Sequence, residues 1–83
     1  MRLRVEFTTE PFDLEQAPRH ALVAREVLRA APLEGIDVGP FGNTAEGSAE
    51  DVVATVAELL RTTIGAGADR VSLQVSVLPE DER

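Results

Sequence analysis

Polar and apolar residues alternate without a break from Arg2 to Thr8. Leu3, Val5 and Phe7 fall on one side of an extended chain, and Arg2, Arg4, Glu6 and Thr8 fall on the other. This is the pattern of a half-buried strand over residues 2–8. Pro11-Phe12-Asp13 then makes a connection, and the period changes. Pro18 suits the first turn of a helix, where its missing N–H costs nothing. His20, Val23, Ala24, Val27 and Ala31 recur at helical spacing with Leu28 alongside, while Arg19, Arg25, Glu26 and Arg29 lie mostly outside that stripe. The spacing predicts a helix from Pro18 to Ala31, ended by Pro32.

Ile36 and Val38 stand among glycines and predict a second strand over 35–41. Gly39-Pro40-Phe41-Gly42 turns it into a short third strand, Asn43 to Glu46. Ser48 is a good N-cap, and Asp51 sits where the acid of a capping box belongs. Val52, Val56, Leu59, Leu60, Thr63 and Ile64 form the expected buried face of the second helix, which Gly65-Ala66-Gly67 ends. Val71, Leu73, Val75 and Val77 then alternate with Ser72, Gln74 and Ser76 as a last strand. Residues 1–78 read as one domain and 79–83 as a charged tail.

The order β-α-β-β-α-β predicts an α+β, ferredoxin-like sandwich: a four-stranded antiparallel sheet with two helices on one face. The apolar strand residues should face the helices. Arg4, Glu6, Thr8, Ser72, Gln74 and Ser76 should then share the open face with Thr44 and Glu46.

Composition sharpens this picture in three ways. A domain of 83 residues has a thin core, so assembly into a homo-oligomer is expected. Cysteine is absent, which excludes disulfides, thiolate nucleophiles and Cys-ligated metal. The formal charge is −7, from 15 acids against 8 bases, all of them arginine. Such a chain repels phosphate backbones, so nucleic acid is a poor partner, whereas a cationic small ligand is electrostatically compatible. The alternating start holds no apolar h-region, and the apolar runs fall far short of the ~20 residues of a membrane span. A cytoplasmic protein without a membrane partner is the expectation.

Enzyme signatures are sparse, and neither a metal nor a cofactor is called for. Gly39-Pro40-Phe41-Gly42 lacks the spacing and the lysine of a phosphate loop. Ser48 is explained by capping. His20, the one histidine, reads as a hydrogen-bonded residue at the core's edge, against a ligand contact or a proton-transfer role. Glu6 and Glu46 share the predicted open face, but Arg2 and Arg4 offer them ordinary partners. The Ser72, Gln74, Ser76 stripe is a solvated face in a monomer. Under a second sheet it would line a cavity suited to a small heteroaromatic ligand, with the Asn43 and Gln74 amides each able to donate and accept.

The stretch Gly39-Pro40-Phe41-Gly42-Asn43-Thr44-Ala45-Glu46-Gly47, a helix, and then Ala66-Gly67-Ala68-Asp69-Arg70-Val71 resembles the thiamine-binding protein family. Members carry Gly-Pro-Met-Gly-Thr, two hydrophobic residues and Glu-Gly before the helix, and Ala-Gly-Ala-Asp/Lys-Arg-Val before the last strand. Pro40, Gly42, Glu46 and Gly47 match the first motif and residues 66–71 match the second. Phe41 replaces the usual methionine, Asn43 the threonine, and Thr44 and Ala45 two bulkier residues. The resemblance implies a ferredoxin-like fold, dimers or tetramers, and non-catalytic binding of thiamine or its hydroxymethylpyrimidine moiety, as carrier, buffer or sensor. The predicted geometry nominates Thr8, Asn43, Thr44, Glu46 and Gln74 as ligand contacts. Glu46 lies in the matched motif and would face an aminopyrimidine or a thiazolium cation, or else simply lead into the helix N-terminus. Two alternatives stay open: a cofactor-free enzyme working through His20 and Glu6, and an assembly or regulatory subunit without a ligand.

Overall fold

The computed structural model describes residues 1–13, 15–39 and 42–79. Strand β1 (Arg2–Glu10) is followed by helix α1 (Arg19–Ala30), strands β2 (Glu34–Val38) and β3 (Asn43–Ser48), helix α2 (Ala49–Gly65) and strand β4 (Arg70–Val77). The strands form one antiparallel sheet in the order β2-β3-β1-β4, so the two β-α-β halves interleave as a ferredoxin-like fold requires. Of the predicted tail only Pro79 is described; 80–83 lie outside the described residues, as do Leu14 and the Pro40-Phe41 centre of the hairpin. The hairpin closes through a Gly39 N–H that donates to the Gly42 carbonyl at 2.9 Å.

Alternation in β1 does what the pattern requires. Leu3, Val5 and Phe7 are buried against Ala45 of β3, Ala24 and Leu28 of α1, and Val52 and Leu59 of α2. The strand runs two residues past the predicted end, and Thr9 joins the buried side. Strand β2 pairs with β3 through an irregular register between Glu34 and Asp37. Gly35 takes φ +60 there, a left-handed conformation that a side chain disfavours.

Helix α2 opens as predicted, with the Asp51 N–H donating to Ser48 Oγ at 3.1 Å. Its buried face differs from the expected one. Val52, Thr55, Leu59 and Thr63 point inward, whereas Leu60 is 37% and Ile64 57% exposed. The threonines tolerate burial because each hydroxyl donates one turn back, Thr55 to the Asp51 carbonyl at 2.8 Å and Thr63 to that of Leu59 at 2.6 Å.

Strand β4 is a second departure. Leu73, Val75 and Val77 pair with Phe7, Val5 and Leu3, and so lie on the helix side of the sheet. They nevertheless stay 37%, 44% and 67% exposed. The buried stripes of both helices centre on β1 and β3, and β4 overhangs them. An apolar strip of β4 is left uncovered within one chain.

Candidate functional site

Two hollows meet at the end of the sheet where β1 leaves it and β3 enters. The first lies on the open face. There the pairing sets Glu6 between Thr44 of β3 and Gln74 of β4, with Ser72 opposite Thr8. These residues, with Gly42 and Asn43, line a shallow depression of about 310 Å³. Thr8, Asn43, Thr44 and Gln74, four of the five residues nominated from the sequence, are thus brought together.

Asn43 arrives differently from the other three. Its register partner is Phe7, which puts it on the helix side of the sheet at the first residue of β3. Its amide donates to the Phe7 carbonyl at 3.5 Å. From this position it lines both hollows.

Glu46 lies apart. It shares the open face but pairs across the ladder with Arg4, two residues beyond Thr44. Arg4 donates to Glu46 Oε2 from Nη2 at 2.7 Å and from Nε at 3.0 Å. Arg2 stands 3.9 Å from the same carboxylate and 2.6 Å from Glu34. The hydrogen bond to Glu46, and then its charge, raise the Arg4 guanidinium above its ordinary pKa. The carboxylate that the motif singled out is engaged by arginine and lines neither hollow.

The second hollow is smaller and more enclosed, about 140 Å³. It is bounded by the end of β1, the connection through Pro11 and Asp13, the start of α1, and Gly39 and Gly42 of the hairpin. Asp13 shapes the connection, because its Oδ1 accepts from the Glu15 and Gln16 N–H groups at 3.0 and 3.2 Å. His20 forms part of the wall and is only 3% exposed. Its Nδ1 is 2.8 Å from Thr9 Oγ1. Its Nε2 is buried without a partner among the described residues. Arg25, five residues further along α1, also lines this hollow.

Sequence reasoning placed His20 at the core's edge but missed Thr9, Asp13 and Arg25. The one available signal was Thr9, which extends the β1 alternation by one more inward position. His20 and Glu6, the pair an enzyme reading would use, stand on opposite faces of the sheet. A wider groove of about 560 Å³ runs between the helices and is lined mainly by Val, Ala and Thr, with Glu26, Asp51 and Glu58 among its walls. No helix among the described residues is long and apolar enough to cross a membrane.

No protein-family model matches the chain, and no curated protein does. Solved structures do match. The chain shares its fold with a DUF77 domain. That domain of unknown function, from Bacillus cereus, superposes with a TM-score of 0.70 at 21% identity, over 94% of this chain and 77% of its own. A hypothetical protein from Methanocaldococcus jannascii superposes with a TM-score of 0.69 at 17% identity, over 99% of this chain and 84% of its own. At these identities the likeness is one of fold. A candidate thiamine biosynthesis/salvage protein from Thermotoga maritima is 25% identical, with a TM-score of 0.67, over 92% of this chain and 81% of its own.

Proposed function

We propose that this protein binds thiamine or a related hydroxymethylpyrimidine compound without transforming it, as a carrier, buffer or sensor. The observation that carries the reading is the open-face hollow. Hydroxyls from Thr8, Thr44 and Ser72 and the Gln74 amide meet there over an apolar floor. Such a mixture of flat apolar surface and paired donors and acceptors suits a small heteroaromatic ring. Glu6 lines the same hollow, and the formal charge of −7 favours a ligand that carries a thiazolium cation. The likeness to the Thermotoga maritima protein supports the same ligand class.

A homo-oligomer fits this reading. Strand β4 pairs only with β1 among the described strands. Beyond Arg70 it carries no charge and no proline, the features that usually protect an edge strand from association. Its half-exposed Leu73, Val75 and Val77 offer a second copy an apolar strip beside that edge.

Calorimetric titration with thiamine and with hydroxymethylpyrimidine tests the function directly. Saturable heat is expected from both, weakened at least several-fold by Gln74→Ala with the melting temperature unchanged. No heat from either compound at high micromolar protein removes this ligand class.

A further inference from the structure

We propose that Arg25 and Arg29 of α1, beside Gly39 of the hairpin, form a site for the phosphate group of a small phosphate ester. The proposal stands on these arginines and goes beyond the ligand proposed above. A contrast in pairing is the first observation. Outside α1, Arg2, Arg4, Arg61 and Arg70 each stand 2.6–3.8 Å from a carboxylate. Arg25 and Arg29 have no carboxylate within 4.0 Å among the described residues, although the chain holds 15 acids. They are four residues apart on one helix, a spacing at which like charges repel. An anion held between them turns that repulsion into two attractions.

The hollow they line is the second. It measures about 300 Å³ and is bounded by Arg25, Arg29, Val38 and Gly39. More of its wall is polar than apolar, yet Val38 and Gly39 contribute no polar side chain. The guanidinium groups and the backbone therefore supply that surface. The Gly39 N–H is already committed to the Gly42 carbonyl at 2.9 Å, which leaves the guanidinium groups as the charged donors. Each presents a planar fork of N–H groups that matches phosphate oxygens.

The third is where the acids lie. Glu34 and Asp37 of β2 pair with Glu46 and Thr44 and so belong to the open face, whereas Val38 pairs with Asn43 on the helix side. Glu26, next to Arg25 in sequence, lines the groove between the helices. Asp13 lines the enclosed hollow with Arg25, but its Oδ1 accepts from two backbone N–H groups. No described carboxylate lines the arginine hollow. The chain's net charge is screened beyond about 8–10 Å at ordinary salt, so the local pair of cations decides what a single phosphate group meets. Arg25 and Gly39 also line the enclosed hollow, which shares Thr8, Gly42 and Asn43 with the open-face depression. The three hollows are thus contiguous.

The test uses the whole protein with labelled arginine side chains, so that each Nε–H gives its own NMR signal. The probes are inorganic phosphate, phenyl phosphate, thiamine monophosphate and thiamine. Phenyl phosphate is expected to move the Arg25 and Arg29 signals saturably and to leave that of Arg61, held by Glu58, in place. Arg29→Gln is expected to weaken its binding about tenfold or more by calorimetry, as for a lost hydrogen bond to a charged group. Because the NMR readout uses the unaltered chain, it holds even where Arg29→Gln fails to fold. Equal, unsaturating shifts at all three arginines overturn the proposal, as does saturation by inorganic phosphate with neither ester bound. Silence from every phosphate probe overturns it too, and thiamine that still binds then leaves the proposed function standing. Phenyl phosphate that moves Arg25 and Arg29 when thiamine does not bind does the reverse. Thiamine monophosphate at least tenfold tighter than thiamine supports the proposal and joins the two sites. Phenyl phosphate that saturates while thiamine monophosphate binds no tighter than thiamine supports it for a different phosphate ester.

Discussion

Thr9→Val isolates the contact that sets the His20 ring. Threonine and valine have nearly the same shape, and both favour a strand, so the change removes a hydroxyl and little else. Thr9 is 7% and His20 3% exposed, so water cannot easily replace the lost partner. The hydrogen bond is short, at 2.8 Å. Its removal leaves a buried imidazole with neither nitrogen satisfied among the described residues. Leaving one such group unpaired costs about 1–3 kcal/mol. A domain of this length has on the order of 4–12 kcal/mol in total, so the loss is a large share of its stability. It corresponds to a fall in melting temperature of roughly 10 °C. Urea unfolding followed by circular dichroism measures it, with an unchanged m-value as the check that the unfolded state is the same. A cycle with His20→Phe completes the experiment. If the contact is what stabilises, the double variant should lose at least about 1 kcal/mol less than the two single losses together, since neither polar group is then stranded. A Thr9→Val protein within about 0.5 kcal/mol of the parent would refute the reasoning, because the ring would then have another partner.

Other perturbations follow from the same geometry. Ser48→Ala removes the N-cap of α2 and should cost about 1 kcal/mol by urea titration, with ligand affinity unaffected. Glu46→Gln should leave thiamine affinity within about twofold by calorimetry, because this carboxylate is held by Arg4 outside both hollows; a larger loss would return Glu46 to the ligand. Val75→Lys places a charge beside the unprotected edge of β4, and sedimentation should show the proposed homo-oligomer dissociating while the monomer stays folded.

The chain's local patterns settle its elements because each pattern reports on its own backbone. Alternation from Arg2 to Thr8 is enough to bury Leu3, Val5 and Phe7, and Ser48 with Asp51 is enough to start α2. The order of those elements leaves few topologies, and the ferredoxin-like sheet is the one formed. Periodicity alone cannot choose between two adjacent stripes of α2. Val52, Thr55, Leu59 and Thr63 face inward, rather than a stripe containing Leu60 and Ile64, because the helix must seat over β1 and β3. The same seating leaves the apolar side of β4 uncovered, which the alternation of that strand does not reveal. The site depends still more on tertiary structure. Glu46 meets Arg4 from 42 residues away, and His20 meets Thr9 from 11 away across a change from strand to helix. Hydroxyls and amides carry no periodic signature of their partners; they acquire one only when the sheet register and the helix seating bring them within about 3 Å. Sequence therefore determined which residues could form a polar site, and packing decided that Nε2 of His20, and not the carboxylate of Glu46, is left without a partner among the described residues.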